Sequence, residues 1–327
     1  MIGSTRIASL KADEILDSRG NPTLAVTIIL ESGIEASAAV PSGASTGANE
    51  AVELRDGDPA RYGGNGVLRA IERVEGPIAA AMAGLDVCDQ TALDQTMIAL
   101  DGTPNKARIG ANAILGVSMA AARAAAMIQG VPLFRHLGGE AACLLPMPSM
   151  NVLNGGKHAD SGMDFQEFMI VPVGAPSFAE ALRYAAETYI AIRAILRNRG
   201  LKTAVGDEGG FAPALESNEA ACELIVEATE AAGYKPGKDI AIALDPAASS
   251  FGQGGVYDLA RTRQGRLDRE AMLALYGRWI VTYPIVSIED GFAEDDWQGF
   301  VDQMAAQGEH VQVMGDDITD KRSIARR

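Results

Sequence analysis

The chain has 327 residues, 47% of them hydrophobic and 22% charged, with 28 Lys and Arg against 43 Asp and Glu for a formal net charge of −15. Such a length carries a full core and a soft prior of two domains, which excludes a disulfide knot or a lone helical bundle. The acidic balance disfavours nucleic-acid binding through phosphate neutralisation.

No membrane span is expected, because the most apolar stretch, around Ile114–Ile128, is interrupted by Arg123. The start, Met1 to Arg6, lacks a basic stretch followed by an apolar one, so no secretory signal is expected. Cys88, Cys143 and Cys222 are odd in number and widely spaced, which fits buried free thiols in a reducing cytoplasm.

Thr23–Leu30 is rich in β-branched residues between Asn21-Pro22 and Ser32-Gly33 and reads as a strand of an opening sheet. Pro41–Gly47 consists of small residues and must be a loop, with the composition of a connector or a lid. Ala70–Gln129 is alanine-rich with helical spacing, broken at Asp101–Pro104. Residues 1–140 therefore read as an α+β domain.

From about residue 141, near Pro146 and Pro148, short apolar strands alternate with amphipathic helices. Ser177 with Glu180 forms a capping box and Gly200 stops that helix. Ser217 and Gly233 bracket the next, and two more are expected at Asp268–Thr282 and Glu294–Gln307. Between them Ile240–Leu244, Ile285–Ile288 and Val311–Met314 have the near-continuous apolar character of buried parallel strands. Residues 141–327 read as a βα barrel domain.

These strands end in carboxylates: Asp245 after the first, Glu289-Asp290 after the second, Asp316-Asp317 after the third. An earlier expected strand, Thr203–Gly206, ends in Asp207-Glu208. The spacings are each about one βα unit, and in a (β/α)8 barrel strand C-termini converge on one rim. Converging carboxylates repel, and a hard divalent cation neutralises them; oxygen ligands without Cys or clustered His favour Mg2+, then Mn2+. The alternative is that such acids merely cap the following helices. His158 follows the expected first barrel strand, and the polar pair Gln166-Glu167 opens the next one. Gly252–Gly255 is not a phosphate-binding loop.

Six blocks resemble the enolase family in order: DSRGNPT at 17–23, VPSGASTG at 40–47, ELRDGD at 53–58, GANAILGVS at 110–118, VGDEGGF at 205–211 and SIED at 287–290. The resemblance implies a small N-terminal α+β domain before a barrel with an irregular ββαα start, commonly dimerised. It implies a lyase that reversibly dehydrates the small phosphorylated acid 2-phosphoglycerate to phosphoenolpyruvate, with two Mg2+ ions when substrate is bound. By position, Asp245, Glu289 and Asp316 match the ligands of one Mg2+, and Ser42 matches a residue that joins the second. Glu208 matches the acid that protonates the departing hydroxyl, while His158, Gln166 and Glu167, together with Glu289 and Asp316, match substrate-side groups.

The family's base lysine, an Arg-Ser pair and a further lysine have no counterpart in these 327 residues. The barrel is therefore expected to be incomplete in this chain, and the isolated chain to lack turnover. Ser250 stands where many members carry an acid. Two other readings use the same residues, a catalytically silent enolase-like binding protein and a superfamily dehydratase of acid sugars with Lys157 or His158 as base. The loop Ser42–Gly47 and the surroundings of Glu208 argue against the latter.

Overall fold

The computed structural model describes residues 3–43, 50–159, 161–206 and 208–319. Contacts divide the chain into two units, with the boundary between Leu144 and Leu145.

In the first unit, β1 (Ile7–Leu16), β2 (Pro22–Leu30) and β3 (Glu35–Ala39) form an antiparallel sheet in the order β1-β2-β3. β2 alternates Leu24, Val26, Ile28 and Leu30 inward, the period-two pattern of a sheet with one buried face. α1 (Leu68–Arg73) continues through a π-turn at Val74–Ile78 into α2 (Ala79–Met82). Pro77 lies inside that turn, where its missing N–H interrupts the regular ladder. α3 (Gln90–Asp101) begins at Asp89, whose carboxylate accepts from Ala92 N. α4 (Ala111–Gln129) follows, then α5 (Leu133–Gly138).

Among the described helices α4 alone is long and apolar enough to cross a membrane, yet 61% of it is buried, as befits a core helix. Gly116 lets it press on the sheet, since a Cβ there would stand 2.6 Å from Val26 Cγ2.

The second unit opens with β4 (Met150–Asn154), β5 (Glu167–Val171), α6 (Phe178–Asn198) and α7 (Asn218–Ala231), a ββαα start. β6 (Ala241–Asp245) leads into a hairpin sheet of β7 (Gly252–Gln253), β8 (Val256–Leu259) and β9 (Gly265–Asp268). α8 (Arg269–Thr282), β10 (Ile285–Glu289), α9 (Trp297–Gln307) and β11 (Gln312–Met314) complete it. The main sheet has the order β11-β10-β6-β5-β4. β6, β10 and β11 run parallel, whereas β5 is antiparallel to both neighbours.

Ser177 and Ser217 cap α6 and α7 by accepting from Glu180 N and Ala220 N, and Asp268 caps α8. α9 starts at Trp297 rather than Glu294, because Asp296 takes the cap by accepting from Gly299 N. Gly254 and Gly255, both at positive φ, turn the β7–β8 hairpin.

One sheet face packs on the helices through Phe165, Phe168, Tyr276, Trp279 and Phe292. Phe165 is central, with ring centroids 5.5 Å from Trp279 and 5.9 Å from Phe251. The opposite face carries a small cluster of Met169, Val171, Ala241 and Ala243.

Two expectations are corrected. Thr203–Gly206 makes no strand: Lys202, Ala204 and Val205 are exposed, and Val205 forms only an isolated bridge to Phe211. Phe211 takes the place beside β4 instead, its N–H donating to Val152 O and its carbonyl accepting from Asn154 N. Of the thiols only Cys222 is buried; Cys88 is half-buried and Cys143 exposed.

Candidate active site

All five residues of β6 are buried, as both faces of an inner strand demand, and its last residue is Asp245, 9% exposed. Register brings neighbours to it. Asn154 of β4 pairs with Glu167 of β5, Glu167 pairs with Asp245, and the Leu244–Ile288 pair sets Glu289 beside Asp245. Residues directly opposite share a face, so Asn154, Glu167, Asp245 and Glu289 form one cross-strand row. β5 contributes its first residue because it runs the other way.

Asp290 continues the site on a different principle. It is buried with φ +42, a conformation asparagine and aspartate tolerate, and its carboxylate accepts from Asp316 N at 3.0 Å and Asp317 N at 2.9 Å. Its own N–H donates to Met314 O, so this residue orients the turn that carries exposed Asp316 beyond β11.

Burial, then repulsion from Glu289 and Glu167, holds the Asp245 carboxyl well above the usual range. Burial followed by Asp290, Asp316 and Glu167 pushes Glu289 up to about 7, and burial raises Asp290 to about 6 against the hydrogen bonds from Asp317 and Asp316. The donor set is all hard oxygen, which suits a hard divalent cation.

His158 closes a 3-10 turn (Gly156–His158) just after β4 and is 6% exposed. Its Nδ1 lies 3.3 Å from Glu167 Oε1, but neither ring nitrogen has an aligned hydrogen-bond partner among the described residues. Glu208 joins them from a glycine turn, and ligand atoms of His158, Glu167 and Glu208 all lie within 4.8 Å of one another. That turn is held by Gly206 N donating to Gly210 O at 2.8 Å and Tyr189 Oη donating to Gly209 O at 2.9 Å. Gln166 is 4% exposed; its N–H donates to Asp245 O at 3.1 Å, and its side-chain Oε1 has no partner among the described residues.

Among the described residues the structure thus gathers His158, Glu167 and Glu208 tightly, and sets Asp245, Glu289 and Asp316 at the ends of three adjacent strands. Asp207 and residues 44–47 of the small-residue loop lie outside the described residues. Ser42 lies in the first unit. Its carbonyl accepts from Arg19 Nη2 at 2.9 Å; its hydroxyl accepts from Arg55 Nη2 at 3.1 Å and donates to Glu53 Oε2 at 3.2 Å. Asn154 was not singled out in the sequence, although a polar residue closing the apolar run Val152-Leu153 is the signal that marks it.

A βα sheet whose strand ends gather carboxylates and one histidine around an all-oxygen donor set is the architecture of a divalent-metal barrel enzyme. Comparison with known proteins narrows the class. Residues 7–137 match the family described as "Enolase, N-terminal domain", and residues 142–325 match "Enolase, C-terminal TIM barrel domain". Similar proteins include Enolase 1 of Methylococcus capsulatus, 60% identical over 323 residues, or 98% of this chain and 77% of that protein. Enolase of Desulfotalea psychrophila is 56% identical over 98% of this chain and 77% of its own length. Enolase of Rubrobacter xylanophilus is 57% identical over 96% of this chain and 73% of its own length. The chain belongs to the enolase family.

Proposed function

We propose that this site serves the Mg2+-dependent, reversible dehydration of 2-phosphoglycerate to phosphoenolpyruvate, a hydro-lyase step of glycolysis, in a cytoplasmic homodimer. The observation that carries this reading is the row Glu167, Asp245 and Glu289 on one sheet face, with His158 and Glu208 beside it, in a chain of this family.

Asp245, Glu289 and Asp316 would hold one Mg2+, and Ser42 would join a second when substrate is bound. Bound there, the ions supply charge stabilisation for the dianion formed when the proton next to the substrate carboxylate is removed. His158, Gln166 and Glu167 bind the substrate; the partnerless ring nitrogens of His158 and Oε1 of Gln166 are groups a ligand satisfies. As a base takes the C2 proton, that electron pair forms the C2–C3 double bond. The C3–O bond then breaks with its pair on oxygen, which accepts the Glu208 proton and leaves as water. No lysine of these 327 residues lies in a block matching the family's base.

Calorimetric titration tests the reading. Mg2+ is expected to bind the protein, binding is lost in Asp245→Asn, and 2-phosphoglycerate binds only with Mg2+ present. Binding of 2-phosphoglycerate that persists undiminished in EDTA overturns it.

A further inference from the structure

Among the described residues, five of the nine side chains with buried polar atoms that lack a partner lie between Asn151 and Gln166. Asn151, Asn154, His158, Ser161 and Gln166 all carry them, and Asn154 is the extreme case of these five: it is 0% exposed, and neither its Nδ2 nor its Oδ1 has a hydrogen-bond partner among the described residues. A buried amide left unmade costs free energy at each end, so a group that satisfies it is expected.

The surroundings of Asn154 identify that group. Across the sheet it faces Glu167, whose other neighbour is Asp245. Along the other side runs the glycine turn carrying Glu208. A Cβ at Gly206 would lie 2.9 Å from Asn154 Cβ, and one at Gly210 would overlap Asn154 Oδ1 and stand 2.8 Å from Leu153 N. Neither glycine is demanded by positive φ there, so the missing side chains serve the close approach of this turn to Asn154. The backbone locks the arrangement, Asn154 N donating to Phe211 O at 2.8 Å on the far side of the turn.

Resting on the reading above, we infer that Asn154 is a further substrate-binding residue, whose amide takes the C3 hydroxyl of the substrate, the group that departs as water. Its chemistry suits that place. Glu167 and Glu208 present carboxyl groups, whereas Nδ2 of Asn154 is a neutral donor, the one kind of group those acids lack when ionised. A donor on the departing oxygen stabilises the charge it gains as the C3–O bond breaks, while Glu208 delivers the proton. Asn154 itself exchanges no proton.

The test compares two ligands in the presence of saturating Mg2+: 2-phosphoglycerate and 2-phospholactate, which differs only in lacking the hydroxyl. Asn154→Ala is expected to weaken 2-phosphoglycerate about tenfold, the worth of one hydrogen bond of this kind, and to leave 2-phospholactate within about twofold. Asn154→Leu, of similar shape but without the donor, behaves like Asn154→Ala toward the pair and keeps the fold if the cavity in the alanine variant does not. Equal weakening of both ligands in both variants assigns Asn154 to the framework and overturns the inference. Wild-type protein that binds neither ligand overturns the functional reading, and the inference with it.

Discussion

Glu289→Gln puts the electrostatics of the rim to a stability test. Glu289 sits between Asp245 and the Asp316 turn, and burial with repulsion carries its pKa from 4.5 to about 7. A carboxyl raised in the folded state binds more protons there than in the unfolded chain, so stability is full below about pH 4.5 and falls as pH rises to 7. At 1.36 kcal/mol per pH unit the loss is at most about 3 kcal/mol, and screening at this half-buried side chain brings it to ~2 kcal/mol. Glutamine cannot ionise. In EDTA the variant should therefore match wild type near pH 4.5 and exceed it at pH 8 by ~2 kcal/mol, or roughly 4–8 °C in melting temperature for a unit of this size. Saturating Mg2+ at about 100 times its Kd should return ~2.7 kcal/mol to wild type and nothing to the variant. Thermal denaturation by circular dichroism at pH 5, 6, 7 and 8 (about one-unit steps across the shift) reads both effects. A variant less stable than wild type by the same margin at every pH would refute the repulsion argument.

Three further outcomes follow from the same geometry. Mg2+ affinity should rise between about pH 6 and 8 as Glu289 and Asp290 lose protons, and a pH-independent calorimetric Kd would contradict this. Gly210→Ala must move Asn154 or Leu153 and should destabilise the second unit by about 1–3 kcal/mol, measured by urea unfolding; a neutral result would mean the glycine turn has room to spare. Phe165→Ala removes the ring on which Phe168, Phe251, Tyr276 and Trp279 converge, at a cost of about 3–5 kcal/mol, whereas Ser217→Ala removes only the α7 cap, at about 1 kcal/mol. The ratio of the two denaturation shifts checks both.

Features that depend on neighbours in sequence were legible without the fold. The capping box at Ser177, the helix boundary at Ser217 and the helix start near Asp268 are read from neighbouring residues, and the inner strands from short apolar runs, because capping and burial periodicity are local. The carboxylates ending β6 and β10, and Asp316 just beyond β11, were visible for the same reason: a change from apolar to acidic marks where a strand leaves the core. Strand direction and register are pairings between distant segments, and no local pattern encodes them. Only the tertiary structure therefore set β5 antiparallel and brought Glu167 beside Asp245. It also denied Thr203–Gly206 a strand by giving Phe211 that place, and left the Asn154 amide buried with no hydrogen-bond partner among the described residues. Repulsion among Asp245, Glu289 and Asp290 arises likewise from space and not from sequence, since each carboxylate alone would be an ordinary strand end.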